Sequence, residues 1–339
     1  MDPVAALKQI AFRLERNGAD TYKVRAFRGA AKALDGMAPE EIESLAQSGR
    51  LASIPGVGKS SAQAIVEALA GKVPSYLTNI DDEAEGIELS KEALALLQKL
   101  QGDCHSHSDW SDGGSPILEM AEAARDLGRS YLVLTDHSAR LTVAHGLNAD
   151  RLREQLDVVA EVNETLAPFR LLTGIEVDIL EDGSLDQDLD LLGRLDVVVA
   201  SVHSKLRMDG PTMTKRMLAA IESPHTDILG HCTGRIVVGK GRPQSDFDAR
   251  AVFEACARTG TAVEINSRPE RQDPPEELLR LAIELGCLVS IDTDAHAPGQ
   301  LEWLGRGCAK AVEAEVPLER VVNRWSADEL VAWAASHAA

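Results

Sequence analysis

The sequence predicts an α/β fold in which seven parallel β/α units close into a barrel, preceded by a small all-α domain. Three observations point to it. After about residue 100, short apolar runs alternate with amphipathic helical stretches, as parallel β/α units require. The polar residues that close those runs recur at a pitch of 27 to 39 residues, one unit each time. Before residue 80 the apolar spacing is helical and strand-like runs are missing.

In the first 80 residues, Val4, Leu7, Ile10, Ala11 and Leu14 recur at helical spacing. Pro39-Glu40-Glu41-Ile42 opens another helix, with a proline and carboxylates in its first turn. Ile54-Pro55-Gly56-Val57-Gly58-Lys59 forms a turn, and Ser61 to Ala70 is a good helix former. From Val73 to Glu88 the pattern fails, and Asp81-Asp82-Glu83-Ala84-Glu85 reads as an acidic linker. The expected division is a first domain over 1–80, a linker over 81–100 and a second domain over 101–339.

The predicted strands are Tyr131–Leu134, Leu171–Ile175, Val197–Ala200, Asp227–Gly230, Ala262–Ile265 and Leu288–Ile291, joined by a less obvious one entering Cys104. Helices are expected over Ile117–Leu127, Ala149–Leu166, Met213–Ile221, Ala249–Arg258 and Glu276–Leu285. The tail, Pro317 to Ala335, reads as two further helices.

Composition narrows the function classes. Apolar residues make up 44% of 339, enough for a large core, while aromatics are only 4%, too few for a platform of stacked rings binding single strands. The net charge of −19 is uneven: residues 1–80 hold 10 basic against 8 acidic side chains, the remainder 25 against 46. Such an acidic body repels long stretches of nucleic acid but tolerates a small, metal-screened pocket. The five cysteines form no CxxC pair and are odd in number, and Met1 to Glu15 lacks the apolar block of a signal peptide. A cytoplasmic protein with free thiols and no membrane span is expected.

Nearly every predicted strand ends in a ligand type. His105-Ser-His107 closes the first, Asp136-His137 the second, Glu176 the third, His203 the fourth, His231 the fifth, Glu264 the sixth, and Asp294-Ala-His296 the seventh. In a β/α barrel all these ends face one rim, so side chains distant in sequence converge. Neutral imidazoles and carboxylates without paired thiols suit Zn²⁺, Mn²⁺ or Fe²⁺. Their number exceeds what one ion takes, and two or three ions bridged by a carboxylate such as Glu176 fit the count. Ions so arranged clamp a phosphoryl group and activate water. A single buried histidine is usually a hydrogen-bonded core residue; a histidine or carboxylate at seven successive strand ends is not explained that way. His225 and His337, in a turn and the tail, read as solvated, and His145 as equally placed to line the pocket or not.

The motifs His105-Ser-His107-Ser-Asp-Trp-Ser-Asp112-Gly, Thr135-Asp136-His137-Ser, Gly174-Ile-Glu176-Val-Asp, Ser201-Val-His203-Ser, Gly230-His231 and Asp294-Ala-His296 resemble those of the polymerase and histidinol phosphatase (PHP) domain, over roughly residues 101–320. The resemblance implies a distorted (β/α)7 TIM-like barrel, three divalent metal ions (Zn, Mn or Fe) and phosphoester hydrolysis. It implies as ligands His105, His107, Asp112, His137, Glu176, His203, His231, Asp294 and His296, with Asp112 where some relatives place a histidine. Arg235 and Arg271 follow the fifth and sixth strands, where a guanidinium could clamp a phosphate oxygen. Lys205 is a weaker candidate, and Cys104 and Cys232 beside ligands read as small buried fillers.

The turn Gly56, Val57, Gly58, Lys59 and Ser60, with Ala62 and Ile65 behind it, resembles the helix-hairpin-helix motif. Two glycines, with a positive φ expected at Gly58, let backbone approach a phosphate, and the following helix N-terminus offers free N–H groups. Contact of this kind is to DNA backbone and independent of sequence. Residues 1–80, with Tyr22-Lys-Val-Arg-Ala-Phe-Arg-Gly-Ala-Ala-Lys32, are similar to the N-terminal domain of family X DNA polymerases. The linker leaves no room for a polymerase palm, so polymerization is not expected. Ala64 occupies the position where some relatives carry a Schiff-base lysine, so lyase chemistry is not expected either. The expected function is metal-dependent hydrolysis at DNA 3′ ends, by 3′–5′ exonuclease or 3′-phosphatase action in repair. The alternatives are a small-molecule phosphatase, such as one acting on histidinol phosphate, and a non-catalytic DNA-binding protein.

Overall fold

A computed structural model describes residues 1–83 and 88–338, so the end of the acidic run, 84–87, lies outside the described residues. The chain divides into two units, one of Met1–Ile87 with Pro298–Gln300, the other of Glu88–Ala297 with Leu301–Ala339.

The first unit is helical: α1 (Pro3–Arg16), α2 (Thr21–Leu34), α3 (Pro39–Gln47), α4 (Lys59–Leu69) and α5 (Ser75–Glu83). Leu7, Ile10, Ala11 and Leu14 of α1 pack with Phe27, Ala30, Ala31 and Leu34 of α2, and Ala64 and Ile65 of α4 complete the core. The helix α5 corrects the expectation of a linker from Val73. Its Leu77 and Ile80 enter that core, so two apolar positions three apart outweigh the surrounding polar residues. Between α3 and α4, Gly56 takes φ +92° and Gly58 takes φ −96°, ψ −177°. The left-handed residue is therefore Gly56, and Gly58 is the extended N-cap of α4.

The second unit begins with α6 (Lys91–Leu97), a helix in the stretch read as linker, whose Ala93 and Leu96 are buried with Leu304 and Cys308. Seven parallel strands then pair in chain order: β1 (Gly102–Asp103), β2 (Tyr131–Leu134), β3 (Arg170–Asp178), β4 (Val197–Ser201), β5 (Ile228–Leu229), β6 (Ala262–Asn266) and β7 (Val289–Asp292). The helices between them are α7 (Ile117–Asp126), α8 (Ala149–Leu166), α9 (Leu189–Leu192), α10 (Gly210–Ile221), α11 (Ala249–Thr259) and α12 (Glu276–Glu284). Strands such as Val197–Ser201 are buried along their whole length, as expected where helices cover a parallel sheet. After β7 come α13 (Leu304–Glu313) and α14 (Ala327–Ala335). The expected first tail helix is replaced by two 3₁₀ turns, Leu318–Arg320 and Val322–Arg324.

Those turns have a task. The seam between β7 and β1 is bridged at one end by the buried Asn323, whose Nδ2 donates to the carbonyls of Gly102 (3.1 Å) and Ile291 (2.6 Å) while its Oδ1 accepts from Ile291 N (3.2 Å). At the other end Ser106 pairs with Ala295, and Cys104 N donates to Asp292 Oδ1 (2.8 Å). We expect Asn323→Ala to cost about 2–4 kcal/mol, read from urea unfolding, because three buried backbone groups lose their partner. A cost below 1 kcal/mol, roughly that of one ordinary hydrogen bond, would show that the seam closes without this side chain.

His337 is not solvated: its Nδ1 lies 2.7 Å from Asp227 Oδ1 at the start of β5. All five cysteines are free and buried. Among the described residues no helix is long and apolar enough to cross a membrane.

Candidate metal centre

Each strand of the barrel delivers its polar side chains at its C-terminal end, and the loops just beyond finish the site. His105 and His107 follow β1, and His137 follows β2. Glu176 and Asp178 are among the last three residues of β3, and His203, His231, Asp294 and His296 follow β4, β5 and β7. Asp112 comes from the loop after His107. All nine residues expected as ligands meet in one basin. Their potential ligand atoms form three overlapping groups, each within 4.8 Å: His107, Asp112, His137 and His296; His105, His107 and Asp294; His137, Glu176 and His203. His231 joins through its Nε2, 2.8 Å from Glu176 Oε1.

Glu176 lies at the middle. Its Oε2 is 2.8 Å from His137 Nδ1, 3.3 Å from His105 Nε2 and 3.6 Å from His107 Nε2, and its Oε1 is 3.2 Å from His203 Nε2. The imidazoles crowd: ring centroids of His107 and His296 are 4.2 Å apart, and those of His107 and His137 4.4 Å. Both ring nitrogens of His107 and of His203, with His105 Nε2, His231 Nδ1 and Glu176 Oε2, are buried without a hydrogen-bond partner. Buried polar groups are rarely left so, and an orphan set of this kind is what coordinated cations satisfy. The residues therefore fit divalent ions.

A second layer orients the first. Glu264 Oε1 lies 2.6 Å from His105 Nδ1, and its Oε2 accepts from His231 N. Glu264, which the sequence pattern groups with the ligand types, thus supports two histidines. Asp178 Oδ1 accepts from His203 N (3.1 Å), which fixes the backbone that carries this imidazole. Asp136 accepts from Ser108 N (2.8 Å), Ser108 Oγ (2.6 Å), Ser111 Oγ (2.5 Å) and Gln155 Nε2 (2.7 Å), fixing the loop between His107 and Asp112.

The arginines divide. Arg271 Nε donates to Asp294 Oδ2 (3.0 Å). Arg235 donates to the carbonyls of Arg271 (3.0 Å through Nε) and Gln272, and so braces the Arg271 loop. Sequence reasoning missed Arg268, whose Nη1 lies 2.9 Å from His296 Nδ1 and donates to the Asp294 carbonyl (3.1 Å). Its only signal was its place in the same Ser267-Arg268-Pro269-Glu270-Arg271 loop. Lys205, Asp112 and His145 are at the surface, Lys205 and His145 with positive φ. Cys104 and Cys232 are buried, and burial raises both thiols far above their usual range.

Burial works against charge on Glu176, His203 and His107. Against it, the imidazoles of His203, His105 and His137 hold Glu176 well below the usual carboxylate range. Likewise burial is overcome at His203, which Glu176 and Asp178 lift to about 9, whereas burial reinforced by His296 and His137 puts His107 well below 6.5. A histidine raised on folding stabilizes below its unfolded pKa near 6.5, and that contribution is lost as pH climbs through about 9. A histidine lowered on folding stabilizes above 6.5 and loses that contribution as pH falls. The melting temperature of chelator-treated protein should therefore peak near pH 6.5 and decline on both sides. With divalent metal present it should instead rise from roughly pH 6 to 8, as protons leave the ligands. Identical profiles with and without metal would contradict this.

Family models match twice: a helix-hairpin-helix domain over residues 1–73 and a PHP domain over residues 103–268. The chain is 36% identical over 263 residues to the DNA polymerase/3′-5′ exonuclease PolX of Bacillus subtilis, the match covering 77% of this chain and 46% of that protein. It thus spans about half the length of that relative. It is 30% identical over 213 residues to a probable phosphatase of Thermoanaerobacter sp. (strain X514), covering 58% of this chain and 80% of that one. Among solved structures it is similar to histidinol phosphate phosphatase from Lactococcus lactis complexed with zinc, L-histidinol and phosphate, with a TM-score of 0.42 and 18% identity over 63% of this chain and 92% of that chain.

Proposed function

Because the chain belongs to the PHP domain family and carries a helix-hairpin-helix domain at its N-terminus, we propose that it is a metal-dependent phosphoesterase acting on DNA 3′ ends, as a 3′–5′ exonuclease or 3′-phosphatase in repair. The observation that carries the chemistry is the set of buried, unpartnered imidazole nitrogens around Glu176. The residues that would hold three ions are His105, His107, Asp112, His137, Glu176, His203, His231, Asp294 and His296. Such ions supply Lewis acidity toward a phosphoryl oxygen and an activated water.

The chain's own residues do the rest. Glu264, Asp178 and Asp136 keep the imidazoles and the Asp112 loop in place, so little reorganization accompanies reaction. Arg271, fixed by Arg235 beneath its loop, and Arg268 hold positive charge beside Asp294, where a non-bridging phosphate oxygen would be balanced. Gly56 to Ser60 present the N-terminus of α4 to the DNA backbone. Zn, Mn or Fe suits the ligand types, and the protein would work in the cytoplasm, on DNA or a small phosphoester.

The DNA reading is supported by the helix-hairpin-helix domain and by the exonuclease named in the first relative. A small-molecule phosphatase is the second reading, favoured by the probable phosphatase of which the chain covers 80%. Metal-loaded protein should be offered 3′-labelled single- and double-stranded DNA beside histidinol phosphate. Faster release from DNA 3′ ends supports the first reading, and hydrolysis of histidinol phosphate alone replaces it with the second. Hydrolysis of neither would favour the third alternative, a non-catalytic DNA-binding protein.

A further inference from the structure

The loop after β5 carries a feature that the metal centre does not use. Residues 228–245 hold three basic side chains, Arg235, Lys240 and Arg242, and no acidic one, within a unit that is otherwise strongly acidic. Here the chain folds into a small hairpin. Ile236 and Arg242 pair antiparallel, Ile236 N donating to Arg242 O (2.9 Å) and Arg242 N to Ile236 O (2.8 Å). Gly239 and Gly241, both at positive φ, close the turn. This places Val237 and Val238 at the tip, 46% and 45% exposed, with the exposed Lys240 beside them.

The hairpin is anchored to the arginine loop of the metal centre. Val237 N donates to the Glu270 carbonyl (2.7 Å) and Arg235 Nε to the Arg271 carbonyl (3.0 Å), while Arg242 Nε donates within the hairpin's own loop to the Gly234 carbonyl (2.7 Å). Arg271 in turn reaches Asp294. These contacts place the hairpin beside the loop that borders the basin, so a strand that leaves the basin on the Arg271 side meets this tip. Scattered exposed valines are ordinary on a protein surface. Two adjacent ones on a braced turn, beside cations in an acidic body, match a partner that is apolar on its faces and anionic along its edge. A polynucleotide strand has that chemistry.

We propose that the hairpin Ile236–Arg242 is a strand grip, in which Val237 and Val238 pack against bases just upstream of the scissile phosphate and Lys240 holds their phosphates. The inference rests on the reading of the centre as a DNA phosphoesterase and adds the means by which that centre would prefer a strand to a mononucleotide. It makes catalytic efficiency depend on substrate length within the barrel unit itself, in addition to any hold by the N-terminal domain.

The test compares kcat/KM on a hexanucleotide and on a dinucleotide, using metal-loaded full-length protein. Wild type should favour the hexanucleotide, and the ratio should fall about tenfold in Val237→Ser/Val238→Ser and in Lys240→Glu. Because the readout is a ratio within one protein sample, partial loss of folded enzyme does not move it. For Lys240→Glu the salt dependence of hexanucleotide cleavage should also become shallower by about one unit of log–log slope. A wild-type preference unchanged in both variants overturns the grip while leaving the DNA reading intact. So does a concentration-dependent dimer that the double serine variant breaks without altering the ratio, which would make the tip a contact between copies of the chain. Wild-type protein that cleaves neither oligonucleotide but hydrolyses histidinol phosphate overturns the DNA reading, and the grip with it.

Discussion

His107→Ala is expected to lower phosphoester turnover by on the order of 10³-fold while the protein stays folded, because it removes a ligand worth several kcal/mol of transition-state charge stabilization. His107 contributes ligand atoms to two of the three groups in the basin, one with Asp112, His137 and His296, the other with His105 and Asp294. Its loss would therefore disturb two sites together. The fold should tolerate the change, since both ring nitrogens lack hydrogen-bond partners and the barrel core is built from other residues. Glu264→Gln should be milder, about 10- to 100-fold, since it loosens His105 and His231 without removing a ligand. Turnover at saturating metal, beside a thermal melt of each variant, checks the order. A Glu264 effect larger than that of His107 would mean that Glu264 itself binds an ion.

The second large effect concerns the N-terminal domain. Gly58→Asp should raise KM for long DNA about tenfold at low salt without lowering the melting temperature. Gly58 caps α4 with extended backbone, and a Cβ there meets nothing within 4 Å. Aspartate is a favoured N-cap in that conformation, so stability holds or improves while a carboxylate sits where a phosphate would approach. Gly56 would be a poorer probe. At φ +92°, with the Gly29 carbonyl 3.4 Å from a Cβ, any side chain strains the turn and confuses folding with binding. The lost affinity should be the salt-sensitive part. Equal KM values for Gly58→Asp and wild type at both low and moderate salt would make the domain a structural appendage.

What could be read from the sequence was set by local periodicity. Runs such as Tyr131–Leu134 and Val197–Ala200 are buried on both faces, so they stand out, and a pitch of one β/α unit between strand ends implies one rim. Eight of the nine expected ligands were legible because a barrel turns sequence pitch into spatial convergence, whereas Asp112, in the loop after His107, was expected only from the resemblance to the PHP domain. The layer behind them was not legible. Glu264 follows the same pattern as Glu176, and only the contact with His105, 159 residues away, separates a supporter from a central carboxylate. His337 looked like a tail residue because its partner Asp227 lies 110 positions earlier. The Asn323 seam was hidden for the same reason, since a buried asparagine has no periodicity and its partners are backbone atoms of β1 and β7. At the hairpin of the first unit, the two glycines of Pro55-Gly56-Val57-Gly58 are equivalent as letters. Their different conformations follow from the N-cap role of the second.

The most direct test of the central claim counts metal and activity together. Full-length protein should be assayed for bound divalent metal by mass spectrometry and for release of nucleotide or phosphate from a 3′-labelled oligonucleotide. Both measurements are made before chelation, after it, and during stepwise return of Zn²⁺, Mn²⁺ or Fe²⁺. The account predicts about three ions per chain, joint loss of metal and turnover on chelation, and joint recovery as the ions return. Full turnover in protein stripped of metal would contradict it.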